Sequence, residues 1–249
     1  MSAGKRAPRQ GRPVAIVFGG SRGIGAAAVR QLAADGFSLA LTYVSRPDSA
    51  QALVEEIEAS GGQALAIKAD SRDSGAIRTV VSAAVERFGA LDVAVVNAGV
   101  LRLARIDSLS VEDLDLMLDV NIRGVVLCIQ AAVAAMRDGG RVIAVGSNTA
   151  SGRTSIEGAV YSMTKAAVAR LVQGLALDLA PRRITVNTIQ PGPTATDMTH
   201  SHLQALAPLV PLGRVAQPAE IAGLVSYLAG PAAAHMTGSS LTLDGGYAL

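Results

Sequence analysis

A chain of 249 residues, half of them apolar and carrying one cysteine, can bury one large core without disulfides, and an aromatic content of 3% with no Trp argues against a nucleic-acid stacking platform. Four of the 22 basic side chains, Lys5, Arg6, Arg9 and Arg12, precede the first apolar run and leave 18 basic against 20 acidic groups, so the body is slightly acidic and residues 1–12 read as a flexible, solvated basic tail. No apolar stretch follows that tail in the manner of a signal peptide, and later apolar runs are broken by Gly, Pro or charge, so the expectation is a soluble, cytoplasmic protein that binds neither membrane nor nucleic acid.

Short apolar, largely β-branched runs begin at 14–18, directly before the alanine-rich helical stretch 23–34. They recur at 39–43, 64–67, 93–96, 141–145, 184–189 and 241–243, each bounded by turn residues, with segments of helical period between. Runs apolar on both faces belong to strands covered by helices on two sides. The fold class expected is α/β: one doubly wound Rossmann domain over 13–249, with about seven parallel strands and no linker or repeat to divide it. In such sheets ligands bind beyond the carboxyl ends of the strands.

After the first run comes Gly19-Gly20-Ser21-Arg22-Gly23-Ile24-Gly25. Glycines permit a tight turn there, and backbone N–H groups at a helix start can face phosphate oxygens, aided by the helix dipole. The segment reads as a dinucleotide site, with Gly19, Ser21, Arg22, Gly23, Ile24 and Gly25 as candidate contacts. About 20 residues on, where an Asp or Glu would bind the 2′-hydroxyl of NAD, stand Thr42 and Tyr43. Ser45 and Arg46 follow. With Arg22, two guanidinium groups could pair with a 2′-phosphate, which predicts NADPH over NADH; the alternative is an Arg46 that only faces solvent.

Further along, Cys128 sits in the apolar run 125–129 and reads as a buried, inert thiol. Ser147 follows the fifth run. Tyr161 and Lys165 lie on a helix predicted to continue to Leu179, and their i, i+4 spacing puts both on one face, where an ammonium should lower the phenol's pKa from its usual value of about 10. The pair alone is a common accident on amphipathic helices. His200 and His202 have no Cys or clustered carboxylates beside them, so no metal site is expected.

Gly19-x-x-x-Gly23-x-Gly25, Asn97-Ala98-Gly99, Asn121, Ser147, Tyr161-x-x-x-Lys165 and Pro191-Gly192 together, in this order and spacing, resemble the short-chain dehydrogenase/reductase family over nearly the whole chain, and most of all its bacterial 3-oxoacyl-carrier-protein reductases. Three departures stand out: Phe18 replaces the usual Thr before the glycine motif, Val96 replaces the first Asn of Asn-Asn-Ala-Gly, and Ser147 precedes Tyr161 by one residue more than usual, with Ser151 a poorer substitute. The resemblance implies reversible hydride transfer between NADPH and a carbonyl, a 3-oxoacyl thioester or another ketone. It implies Tyr161 as general acid/base, Ser147 as hydrogen-bond donor to the substrate oxygen, Lys165 on Tyr161 and the nicotinamide ribose, and Asn121 holding a water that relays protons to Lys165. It also implies cofactor contacts from Asp70 and Ser71 near the adenine, from Asn97, Ala98 and Gly99 near its ribose, and from Pro191, Gly192, Thr194 and Thr196 near the nicotinamide. A mobile substrate lid near 193–211, carrying Met198, Leu203, Leu206, Leu209 and Val210, and a homotetramer are further implications. A nucleotide-binding regulatory protein on the same fold, with incidental oxidoreductase activity, is the competing reading.

Overall fold

The computed structural model describes residues 11–152, 154–200 and 203–249; Lys5, Arg6, Arg9 and His202 lie outside them. Seven strands, β1 (Val14–Phe18), β2 (Ser38–Tyr43), β3 (Gln63–Lys68), β4 (Val93–Val96), β5 (Arg141–Val145), β6 (Thr185–Pro191) and β7 (Ser240–Leu243), form one sheet in the order β3-β2-β1-β4-β5-β6-β7, every neighbouring pair parallel. This is the doubly wound Rossmann arrangement expected from the runs.

The alternation of side chains along each strand splits the core into two layers. Ala15, Val17, Leu39, Leu41, Val93 and Val95 face α1 (Gly23–Ala34), α2 (Pro47–Ala59) and, near the sheet's other half, α8 (Pro218–Ala229), which contributes Ile221, Val225 and Leu228. Ile16, Phe18, Ala94, Val96, Val142 and Ala144 face the opposite way, onto α3 (Ser74–Phe88), α5 (Val125–Ala135) and α6 (Ala159–Leu179). Phe18 therefore fills core volume in the place of a turn-bonding hydroxyl. Each such buried aliphatic or aromatic side chain stabilises the fold by roughly 1.5–3 kcal/mol.

Between α4 (Val111–Leu118) and α5 the chain widens into a π turn, Asp119–Gly124, so that Val111–Ala135 is one continuous helical run. That run has the length and apolar content of a membrane-crossing helix, against the expectation that Gly, Pro or charge breaks every apolar run before such a length is reached. Here Met117, Val120, Asn121, Val125, Cys128, Ile129 and Ala132 are buried, which is how a core helix of a sheet protein passes the same test. Burial also pushes the Cys128 thiol up to about 12, so it stays protonated and unreactive.

Candidate active site

Strand order reverses between β1 and β4, and the loops leaving these two strands part there to form a crevice. The two loops are bonded at its base. Asn97 and Ala98 both donate backbone N–H groups to the Phe18 carbonyl, at 3.1 and 2.9 Å, and Asn97 Nδ2 donates to the Gly19 carbonyl at 2.8 Å. Gly19 has φ +75°, and a Cβ there would lie 2.9 Å from Ala98 Cα; at Gly25 a Cβ would lie 2.1 Å from the Gly19 carbonyl oxygen. Only glycine lets the first turn of α1 close this tightly on β1.

The crevice opens into a cleft of about 600 Å³ lined by Gly19, Ser21, Arg22, Gly23, Ile24, Tyr43, Ser45, Arg46, Asp70, Ser71, Asn97, Ala98, Gly99 and Thr196. Fourteen of the proposed cofactor contacts are thus brought to one surface. Gly25, Tyr161, Lys165, Pro191, Gly192 and Thr194 do not line it: Gly25 packs on the glycine turn, Lys165 lies behind Gly99, and Thr194 is buried with its hydroxyl donating to the Gly192 carbonyl at 2.9 Å. The Asp70 carboxylate is gripped by Arg72 at 2.7 Å, which holds its pKa below the usual range. Arg22 pairs with Asp197 of the segment after β6 at 3.5 Å, both largely exposed. Arg46 has no side-chain partner among the described residues.

At the carboxyl end of β5, Ser147 leads a 3₁₀ turn, Asn148–Ala150, and is buried, while α6 carries Tyr161 and Lys165 past it. Lys165 Nζ donates to the Val145 carbonyl at 3.3 Å and lies 5.7 Å from the centroid of the Tyr161 ring. The Ser147 hydroxyl is near enough to the Tyr161 phenol to pull its pKa downward. In the loop between Ser147 and Tyr161, Glu157 adopts φ +69° and its carbonyl accepts from Ala104 N–H at 3.1 Å. Ser151 turns away, donating to Gln190 Oε1 at 3.1 Å, which leaves Ser147 as the serine at the site.

The expected effect of Lys165 on the phenol is overturned. Burial pushes Tyr161 up to about 12, outweighing the opposing hydrogen bond from Ser147, and burial pushes Lys165 down to about 8. Desolvation acts against the charged form of each group, so at neutral pH the phenol keeps its proton while Lys165, with a pKa of about 8, is still mostly ammonium but holds its proton weakly. Such a phenol is a proton donor.

Asn121 is fully buried, and its amide is committed: Oδ1 accepts from Val100 N–H at 2.8 Å, while Nδ2 donates to the Val100 carbonyl at 2.8 Å and to Thr164 Oγ1 at 3.2 Å. Thr164 Oγ1 in turn donates to the Tyr161 carbonyl at 2.7 Å. With both amide hydrogens in use, the side chain fixes the loop after β4 against α6, and a relayed water would meet only its remaining oxygen lone pair or its backbone.

Three contributors escaped the sequence reading. Thr42 Oγ1 accepts from Gly19 N–H at 2.8 Å, anchoring the glycine turn from the end of β2. Thr149 bonds Ser147 through both its amide and its hydroxyl, at 3.3 and 3.0 Å. Asp244, after β7, accepts from Asn148 Nδ2 at 3.1 Å and from the N–H groups of Gly246 and Ala248 at 2.9 and 3.0 Å, tying the carboxyl-terminal segment to the residue next to Ser147. Only Thr149 carried a local signal, a hydroxyl two residues from Ser147.

The segment expected as a lid contains a short helix, α7 (Leu203–Leu206), and the chain turns back through Ala195, whose N–H donates to the Ala216 carbonyl at 2.8 Å. Among the described residues, no three His, Cys, Asp or Glu side chains converge as metal ligands.

A family model described as enoyl-(acyl carrier protein) reductase matches residues 19–248. A short-chain dehydrogenase/reductase from Serratia marcescens is 47% identical, with 98% of this chain and 100% of that chain covered and a TM-score of 0.92. A short-chain dehydrogenase from Burkholderia cenocepacia, solved in complex with NADP, is 42% identical over 95% and 97% of the two chains, with a TM-score of 0.91. The 3-oxoacyl-[acyl-carrier-protein] reductase of Synechocystis is 37% identical over 238 residues, 94% of this chain and 96% of that protein.

Proposed function

The chain belongs to the short-chain dehydrogenase/reductase family and is an NAD(P)-dependent oxidoreductase, and we propose that it reduces a ketone, with a 3-oxoacyl thioester as the first candidate, to a secondary alcohol at the expense of NADPH. The observation that carries this reading is the meeting of Ser147, Tyr161 and Lys165 beside a cleft that begins at a glycine turn. The residues of the cleft fit the cofactor. The α1 amino terminus presents N–H groups and no acidic side chain to a pyrophosphate. Thr42 and Tyr43 close β2 where a carboxylate would select NAD, while Ser45, Arg46 and Arg22 line the same wall and suit a 2′-phosphate. Asp70, Ser71, Asn97, Ala98, Gly99 and Thr196 line the cleft; the family resemblance gives the first five to the adenine and its ribose and Thr196 to the nicotinamide.

When bound, the cofactor supplies hydride to the carbonyl carbon. Ser147 donates a hydrogen bond to the carbonyl oxygen and stabilises the charge that grows on it. Tyr161 gives its phenolic proton to that oxygen, completing the alcohol, and in the reverse direction takes the proton back. Lys165, as ammonium, favours the phenolate formed in passing; a proton taken up from solvent then restores the phenol, the neutral form that burial favours. Asn121 and Thr164 hold the helix and the loop after β4 in register around these groups. A screen of carbonyl compounds that includes acetoacetyl-coenzyme A, run with NADPH and with NADH, tests the assignment: NADPH consumption that depends on a ketone supports it, and turnover of none with either cofactor overturns it.

A further inference from the structure

Ser147 Oγ accepts two hydrogen bonds from one residue, from Thr149 N–H at 3.3 Å and from Thr149 Oγ1 at 3.0 Å. A hydroxyl oxygen has two acceptor sites and one hydrogen. With both sites taken on the side of the 3₁₀ turn, the Ser147 hydrogen points elsewhere. Ser147 is buried, and its free hydrogen is the one able to reach the Tyr161 phenol, whose pKa the Ser147 hydroxyl pulls downward against the effect of burial.

We propose that Thr149 is a positioning residue that fills the acceptor sites of Ser147 Oγ and so aims the Ser147 proton at the point where Tyr161 and the substrate oxygen meet. Without the Thr149 hydroxyl, Ser147 can turn its proton back into the turn or toward the neighbouring carbonyls, and the donor the reaction needs is correctly oriented only part of the time. Hydrogen bonds in a chain also polarise one another, so the Thr149 hydroxyl strengthens the bond that Ser147 makes onward. The proposal deepens the reductase reading and rests on it for the identity of the oxygen that Ser147 meets.

The test compares T149V, which keeps the shape and removes the hydroxyl, with T149S, which keeps the hydroxyl, each with and without S147A. With acetoacetyl-coenzyme A, or the best carbonyl of the screen, T149V is expected to lower kcat about tenfold, with KM for NADPH and NADPH fluorescence titration unchanged within about twofold, whereas T149S retains at least half of kcat. In the S147A background, T149V brings no further loss. Ultraviolet titration of Tyr161, identified by its absence from Y161F, is expected to move upward in T149V and not in T149S. A T149V protein with the kcat and Tyr161 titration of the wild type overturns the proposal, as does a T149S protein as impaired as T149V, or losses in T149V and S147A that multiply. A wild type that reduces no carbonyl overturns the reductase reading instead, and the Tyr161 titration still decides whether Thr149 aims Ser147.

Discussion

Asn121 and Val100 exchange two hydrogen bonds, both 2.8 Å long, so that a side-chain amide in the π turn serves as the backbone partner of the loop after β4. Replacing it by leucine leaves the N–H and carbonyl of Val100 without these partners beside Lys165. Asn121→Leu is expected to destabilise the protein by about 2–4 kcal/mol in a urea melt and to lower kcat as well, since Lys165 packs against Gly99 of the same loop. Stability equal to the wild type would mean that the loop is held by other contacts.

Lys165 links activity to stability with opposite sign. Its folded-state pKa of about 8 lies below the ordinary 10.5, so between these values the unfolded chain holds the proton and the folded chain does not, and the Lys165 contribution to stability rises with pH across that window, opposed above about 9 by Cys128, whose thiol burial pushes up to about 12. Below about 8 the full cost of burying the ammonium is present, on the order of 3 kcal/mol. Lys165→Met is therefore expected to abolish reduction yet raise stability at pH 7 in the cofactor-free protein, and its advantage over the wild type is expected to shrink as pH rises from about 8 to 10.5. Denaturant melts at pH 7 and at pH 10 check both statements.

Arg46, just after β2, and Arg22, in the glycine turn, are two of the four arginines that line the cleft, with Arg72 paired to Asp70, Arg102 to Asp113 and Arg22 sharing its charge with Asp197. Arg46→Ala is expected to weaken NADPH binding about tenfold, the equivalent of one charge-assisted hydrogen bond, and to leave NADH binding unchanged. Asp197→Asn, by releasing Arg22, is expected to tighten NADPH binding by a smaller factor. Fluorescence titration with the two cofactors reads both; an equal loss for NADPH and NADH in Arg46→Ala would remove the 2′-phosphate assignment.

Asp244 accepts three N–H groups, one from Asn148 and two from its own segment. Asp244→Asn turns a donor toward at least one of them, and a loss of about 1–3 kcal/mol in stability is expected, together with a lower kcat because Asn148 carries the turn that holds Ser147. Thermal melting and steady-state kinetics on the same preparation separate the two effects.

Much of this was legible in the chain. The runs at 14–18, 93–96 and 141–145 coincide with β1, β4 and β5 to the residue, because strands buried on both faces read as unbroken apolar segments ended by turn residues. β6 extends to Pro191, past its apolar run, because Pro191 pairs with Leu243 and Gly192 N–H donates to the Leu243 carbonyl, a partnership with a strand some 50 residues away. Motif spacing brought the glycine turn, Asn97, Ser147, Tyr161 and Lys165 to one end of the sheet. Spacing could not supply what depends on enclosure or on distant partners: the upward shift of Tyr161 follows from burial by the whole fold, and the bond from Asn148 to Asp244 joins residues far apart in the chain. Thr194 and Gly25 matched a motif but face inward, since a motif records residue type and not the direction a side chain takes.

The most direct measurement is NADPH consumption by the wild type and by Tyr161→Phe across the carbonyl screen, with NADPH binding measured on both. Removing a positioned general acid costs 10²–10⁴-fold. The expected result is ketone-dependent turnover by the wild type and a loss of that order in Tyr161→Phe with NADPH binding retained; a wild type that binds NADPH yet turns over no carbonyl faster than Tyr161→Phe would contradict the assignment of Tyr161 as the proton donor of a reductase.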